Sequence, residues 1–240
     1  MNTESFTIKI GVLAVQVVRK DIKNLHLGVY PPDGRVRVAA PVAISDNAVR
    51  LAVIKKMGWI KLKKEQFAKQ PRQSKREMVS GESHYYLGQR RKLVVNNKER
   101  KTGVCLKGKN KIIMNITTGT SIIKRETMLN EWYRRQMKKL VPQLLDKWED
   151  KIGVRVNKWG IKLMKTKWGS CNPKIKSIWL NLELIKKPVG CIEYIIVHEL
   201  AHLVERKHNG RFKEIVNNVM PKWSQYKKEL NVLPLSYLRS

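Results

Sequence analysis

Three of the five histidines in this chain fall in one short window, His198-Glu199-Leu200-Ala201-His202 followed by His208. Histidines four apart on a helix leave the same face about one turn apart, so His198 and His202 can reach a single cation. Glu199, beside the first, reaches instead toward a water on that cation, where a carboxylate serves as general base. Zinc in catalytic sites takes three protein ligands and keeps a further position open. The third donor must bend back toward the helix. His208, just ahead of the turn-forming pair Asn209-Gly210, is the preferred third ligand; Glu205, on the same helical face as His198 and His202, is its rival, and Glu214 a weaker one. The spacing H-E-x-x-H-x5-H equals that of the metzincin motif, with Glu205 in place of the metzincin glycine. This departure predicts a helix that runs on to about Lys207, with Asn209-Gly210 ending it.

Other chemistries fit less well. A cysteine hydrolase built on Cys171 or Cys191 would need histidines that are better used as ligands. Tyr194, one turn ahead of His198, reads as core rather than as an oxyanion stabiliser, and Met220, just before Pro221, reads the same way. The run Lys165-Thr166-Lys167-Trp168-Gly169-Ser170-Cys171-Asn172-Pro173 is expected to be a loop in which Trp168 packs and Gly169 turns.

The elements that must position these residues follow from periodicity. Pro188 introduces the metal-motif helix, and a further helix over 211–220 is stopped by Pro221, with a short one to Leu230. Thr120 or Ser121 opens a long amphipathic helix to about Ile152, with Pro142 as a kink or a break. Val154 to Met164 and Ser177 to Leu182 read as strands. Upstream, Phe6 to Ile10, Val12 to Arg19, His26 to Tyr30 and Arg35 to Ala39 read as strands of a small antiparallel sheet, with Pro31-Pro32-Asp33-Gly34 as a hairpin turn. Ser45 or Asp46 caps a helix carrying Val49, Ala52, Val53, Met57 and Ile60, which is expected to dissolve into a basic linker containing Lys61, Lys63, Lys64, Lys69, Arg72, Lys75 and Arg76. Met78 to Asn115 reads as β-structure with turns at Gly88, Asn96-Asn97 and Gly108. No internal repeat is visible. The fold class is α+β, with a β-rich region over residues 1–76 holding one helix and the linker, a β-hairpin region over 77–120 and a catalytic domain over 121–240.

The 240 residues are 42% hydrophobic, enough for folded cores without disulfide staples. Lys and Arg number 50 against 19 acidic residues, a net charge of +31 that attracts polyanions and makes DNA or RNA a partner to consider. The three cysteines have no paired spacing, which points to the cytoplasm. The apolar stretch at Val12–Val18 is too short for a membrane span and lacks a basic lead.

The motif His198-Glu199-Leu200-Ala201-His202, with His208-Asn209 and Phe212, the upstream Lys167-Trp168-Gly169-Ser170-Cys171 and Leu180-Asn181, resembles the YgjP-like metallopeptidases, relatives of the SprT-like and WLM zincins. Pro32-Asp33-Gly34-Arg35-Val36-Arg37-Val38, Trp59-Ile60, Ser80-Gly81-Glu82 and Tyr86-Leu87-Gly88 resemble that family's N-terminal half. The resemblance implies a zincin-like α/β catalytic domain with zinc on His198, His202 and His208, Glu199 as base, and a protein or peptide substrate. By analogy with zincins, Ser177 to Leu182 would be an edge strand that holds an extended peptide. It also implies a link to nucleic-acid-associated proteins, since SprT-like enzymes act on proteins crosslinked to DNA. The competing expectation is a basic nucleic-acid-binding module with a structural or vestigial zinc site, against which the intact Glu199 argues.

Overall fold

The computed structural model describes residues 5–30, 33–69, 76–97, 102–164 and 167–232. Pro31, Pro32, Arg72, Lys75, Lys165 and Thr166 lie outside them, as do the side chains of Lys69, Asn231 and Val232. The chain divides into two compact units, Met1–Pro71 and Arg72–Ser240.

In the first unit, β1 (Ser5–Ile10), β2 (Leu13–Lys20), β3 (His26–Tyr30) and β4 (Arg35–Pro41) form a sheet in the order β1-β2-β4-β3. The hairpins β1–β2 and β3–β4 are antiparallel, but β2 and β4 run parallel. The sheet is therefore mixed, not antiparallel throughout: β3 leaves a gap beside β2, and β4 returns from the hairpin turn at Gly34 to fill it. Alternation puts Val15, Val17, Val36, Val38 and Ala40 on one buried face, where they pack on Val49 and Val53 of α1 (Asp46–Lys55) and Ile60 of α2 (Met57–Lys69). Ser45 caps α1, its Oγ accepting from the Ala48 N–H at 3.3 Å. The basic run Lys61 to Lys69 is not a linker but the body of α2. Lys, Leu, Glu, Gln and Ala are strong helix formers, and charge on the solvent side does not interrupt a helix whose buried residue is Ile60.

The second unit opens with β5 (Ser83–Tyr86), β6 (Gln89–Asn97), β7 (Gly103–Lys107) and β8 (Lys111–Ile116), ordered β5-β6-β8-β7. Hairpins β5–β6 and β7–β8 flank a parallel β6–β8 pair, so this sheet repeats the topology of the first, a repetition the sequence does not display. Asn96-Asn97 ends β6 rather than forming the turn expected there. A serine-capped helix again follows. Ser121 caps α3 (Ile122–Ile152), and Gly153, at φ 77°, closes it. Pro142 removes one helical hydrogen bond without splitting α3, because a continuous buried face of Leu129, Trp132, Tyr133, Met137, Val141, Leu145 and Trp148 spans it.

A second sheet follows, built from β9 (Lys158–Lys162), β10 (Gly169–Asn172) and β11 (Ser177–Asn181) in the order β10-β11-β9. Two expectations change here. Gly169 to Asn172 is a strand rather than a loop, and β11 lies in the middle of the sheet rather than at its edge. After a 3-10 turn over Leu182–Lys186 come α4 (Val189–Val204), α5 (Gly210–Val219) and α6 (Trp223–Val232). α4 is buried nearly all round, through Cys191, Ile192, Ile195, Ile196, Val197, Leu200 and Ala201, and it packs against α3, α5, α6, β10 and β11.

Candidate metal centre

α4 ends earlier than the sequence suggests. Val204 is its last residue, and Glu205 is extended at φ −132° and ψ 114°, its N–H still donating to the Ala201 carbonyl. The helix thus stops short of Lys207, and Asn209-Gly210 does not end it but starts α5. The Glu205 carboxylate accepts from the Lys207 N–H at 2.9 Å, and the Asn209 side chain accepts from the Phe212 N–H at 3.0 Å. These local bonds compete with helix continuation and turn the chain back on itself.

The reversal brings His208 to α4. Its Nε2 stands 3.0 Å from His198 Nε2, and one ligand nitrogen from each of His198, His202 and His208 lies within 4.8 Å of the others. The ring centroids are 4.6 to 4.9 Å apart, and the Phe212 ring packs within 5.0 Å of all three. Tetrahedral zinc with Zn–N near 2.05 Å separates its nitrogens by about 3.3 Å; the His198–His208 pair at 3.0 Å already stands near that spacing, and the widest pair has to close by at most about 1.5 Å, within reach of side-chain rotation. An all-imidazole donor set suits zinc better than the hard cations. His202 Nδ1 lies 3.1 Å from the Glu205 carbonyl oxygen, which holds the proton on Nδ1 and leaves Nε2 as the donor atom. Burial, then the neighbouring His202 and His208, push His198 down to about 4, so its imidazole is neutral at pH 7, the form that can ligate a cation. Glu205 contributes its carbonyl and its turn; its carboxylate is spent on the backbone. Glu214 is exposed on α5 and lies outside the cluster.

Glu199 is 5% exposed, and burial pushes its carboxyl up to about 7 against the pull of Lys167. It lies against Gly169 of β10, where a Cβ would come within 2.6 Å of Glu199 Oε1. Gly169 is ordinary strand backbone, so this close approach, not a turn, is what requires glycine. The segment leading into β10 is tied by Asn181, which is 4% exposed. Its Nδ2 donates to the Met164 and Lys167 carbonyls at 2.9 and 2.8 Å, and its Oδ1 accepts from the Glu183 N–H at 3.1 Å. Spacing arguments do not reveal the roles of Gly169 and Asn181. The available signal is an asparagine at the end of an apolar strand, where β-propensity is low.

β10 is an edge. The Trp168 carbonyl accepts from the Asn181 N–H at 2.8 Å, so Ser170 and Asn172 face β11 with their backbone groups while Gly169 and Cys171 turn theirs to the free side. That side opens on a cleft of about 590 Å³ whose wall includes Tyr194, His198, Glu199, His202 and His208. The Tyr194 ring stacks on Trp223, and burial pushes its hydroxyl up to about 12. Burial likewise pushes the Cys171 thiol up to about 11 and Cys191 up to about 12, so neither offers a thiolate nucleophile. Met220 is a core residue. Among the described residues, no helix is long and apolar enough to cross a membrane.

No curated protein sequence matches the chain. Among solved structures, it is similar to the metallopeptidase zymogen of Pyrococcus abyssi abylysin, at 24% identity over 38% of this chain and 90% of that one, with a TM-score of 0.36. It is also similar to the metallopeptidase zymogen of Methanocaldococcus jannaschii jannalysin, at 22% identity over 38% of this chain and 92% of that one, with a TM-score of 0.34. Over nearly its whole length, residues 23–232, the sequence matches the YgjP-like metallopeptidase domain, and the chain belongs to that family.

Proposed function

We propose that this metallopeptidase uses zinc held by His198, His202 and His208, with Glu199 as its general base. The observation that carries the reading is the convergence of three imidazoles within 4.8 Å beside a buried carboxylate. Zinc, when bound, acidifies a water to near neutrality and polarises a carbonyl oxygen. Glu199 takes the proton from that water and hands it to the leaving amine nitrogen. The free edge of β10 holds the substrate: Gly169 and Cys171 pair with an extended peptide through their N–H and C=O groups, and the peptide runs past Glu199. Gly169 keeps that approach open, and Asn181 keeps β10 in place.

Glu199→Gln is isosteric and keeps the ligands. It is expected to retain zinc at one equivalent per chain while hydrolysis of an unstructured protein falls by at least about two orders of magnitude. Hydrolysis at the native rate in that variant would refute the assignment. The reading places the enzyme in the cytoplasm, where its three unpaired cysteines stay reduced.

A second reading adds nucleic acid as a recruiting partner, and rests on the net charge of +31 and on the exposed Lys61 and Lys64 of α2. It predicts binding to duplex or single-stranded DNA that weakens steeply with salt. Binding of that kind with no hydrolysis of any protein would favour a nucleic-acid module whose zinc is structural over the enzyme.

A further inference from the structure

The cleft beside the three imidazoles carries exposed cations from three separate segments: Lys167 ahead of β10, Arg206 in the turn after α4, and Lys227 on α6. Among the described residues, the only carboxylate on its wall is Glu199, which is buried and lies beside the imidazoles. A chain this basic will show cations on any surface, so their number alone decides nothing. What distinguishes these three is their place: they line one concave wall on which, among the described residues, no exposed carboxylate stands to meet them, and none of them is in an ion pair. Where carboxylates do stand near cations in the same unit, the cations are met, Lys186 by Glu183, Lys147 by Glu193, and Arg155 by Glu149 and Asp150. The three charges also sit close to the proposed chemistry. Lys167 acts electrostatically on Glu199, and Lys227 acts on His198 while its Nζ lies 5.5 Å over the Trp223 ring. A concave, single-sign wall focuses its field into the cleft and raises the local concentration of oppositely charged ligand.

We propose that the cleft selects carboxylate-bearing peptides, with Lys167, Arg206 and Lys227 as the residues that bind the acidic groups. This rests on the peptidase reading and adds a substrate class to it. A peptide laid along the free edge of β10 passes Lys167 before it reaches Glu199, and acidic side chains on either side of the bond to be cleaved meet the cations of the wall. Lysine or arginine at the same positions is repelled. The carboxylate can come from Asp and Glu side chains or from the end of the peptide chain, and the cations recognise the same group in both.

The test uses the full-length, zinc-loaded Glu199→Gln variant and fluorescent peptides of one length, C-terminally amidated, that carry Glu, Gln or Lys around a common central pair. A Gln peptide with a free C-terminal carboxylate completes the set. Anisotropy at low salt is expected to rank Glu above Gln above Lys, with each cation contributing about two- to fivefold in affinity. High salt should compress the ranking. Adding Lys167→Glu, Arg206→Glu and Lys227→Glu together is expected to reverse it, and the three exposed positions should leave the melting temperature unchanged. Tighter binding of the free-acid Gln peptide than of its amidated twin also supports the cation wall and makes the chain end its target. Equal binding of the Glu, Gln and free-acid Gln peptides at low salt, or a ranking that survives the triple charge reversal, would overturn the proposal. If the native chain cleaves none of the peptides, the peptidase reading fails, and the binding order still decides the selectivity.

Discussion

Replacing Gly169 by alanine tests the link between β10 and Glu199, the proposed base, with a single methyl group. The added Cβ would lie 2.6 Å from Glu199 Oε1, 2.8 Å from Cγ and 3.0 Å from Cδ. Ordinary carbon contacts lie near 3.5–4.0 Å, so about 1 Å of movement is needed, by the carboxylate, by β10 or by both. Overpacking of this kind costs about 1–3 kcal/mol of stability, which a unit with a core this extensive should survive. The catalytic cost is larger in proportion, because a misplacement of about 1 Å can slow a positioned reaction by about 10²-fold, or about 2.7 kcal/mol in the barrier. The measurement compares kcat and zinc content of Gly169→Ala with those of the native chain and of Glu199→Gln. Zinc is expected at one equivalent, since no imidazole is touched, while kcat falls toward that of Glu199→Gln. A variant that is folded, loaded and within about twofold of native kcat would refute the reasoning: either Glu199 is not held by β10 or it is not the base.

The ligand assignment separates by two further variants. His208→Ala is expected to lose zinc on dialysis, whereas Glu205→Ala, which removes only the carboxylate on the Lys207 N–H, should keep it with weakened affinity; the opposite order by metal analysis would make Glu205 the ligand. Asn181→Ala strips the donor from the part-buried Met164 and Lys167 carbonyls and should lower stability by about 1–3 kcal/mol in urea unfolding. The same variant loosens the lead into β10, so activity should fall further than the loss of folded protein explains. His84, buried beside Glu82 with its Nε2 3.1 Å from Oε2, is pushed down from 6.5 to about 4, chiefly by burial and then by Arg76. Between those values the unfolded chain takes up the proton first, so stability falls as pH falls, by about 2 kcal/mol from pH 6.5 to about pH 5. Urea midpoints across that window should show the slope in the native chain and a shallower one in His84→Gln.

What the sequence shows of this protein is what local periodicity can carry. The two histidines of α4, the long amphipathic α3 with its serine cap, and the hairpin closed at Gly34 all follow from residues near one another in the chain. Two features of the site do not. β10 consists of Gly, Ser, Cys and Asn, none of them a strong strand former, and it is a strand because β11 offers it partners in register. The parallel pairs β2–β4 and β6–β8 join strands separated by a hairpin partner, and no local pattern distinguishes such a pair from an antiparallel neighbour. The matching order of the two four-stranded sheets is hidden for the same reason, since topology repeats there while side chains do not.

The end of α4 decides which residue completes the proposed metal cluster. On an uninterrupted helix Glu205 would stand on nearly the same stripe as His198, seven residues and about two turns on, and would be the natural partner of His202. His208 would lie ten residues beyond His198, displaced by about 15 Å along the axis at a rise of 1.5 Å per residue. The observed 3.0 Å between the two Nε2 atoms is attainable only because the helix stops at Val204. Nothing in Glu205-Arg206-Lys207 is a helix breaker by propensity, so the sequence favours continuation and cannot place this end. The break is held by tertiary and local polar contacts instead: the Glu205 carboxylate on the Lys207 N–H, the Glu205 carbonyl on His202, and the asparagine cap that starts α5 at once. The same residue that competes with His208 as a ligand is thus the one whose backbone and side chain deliver His208 to the site.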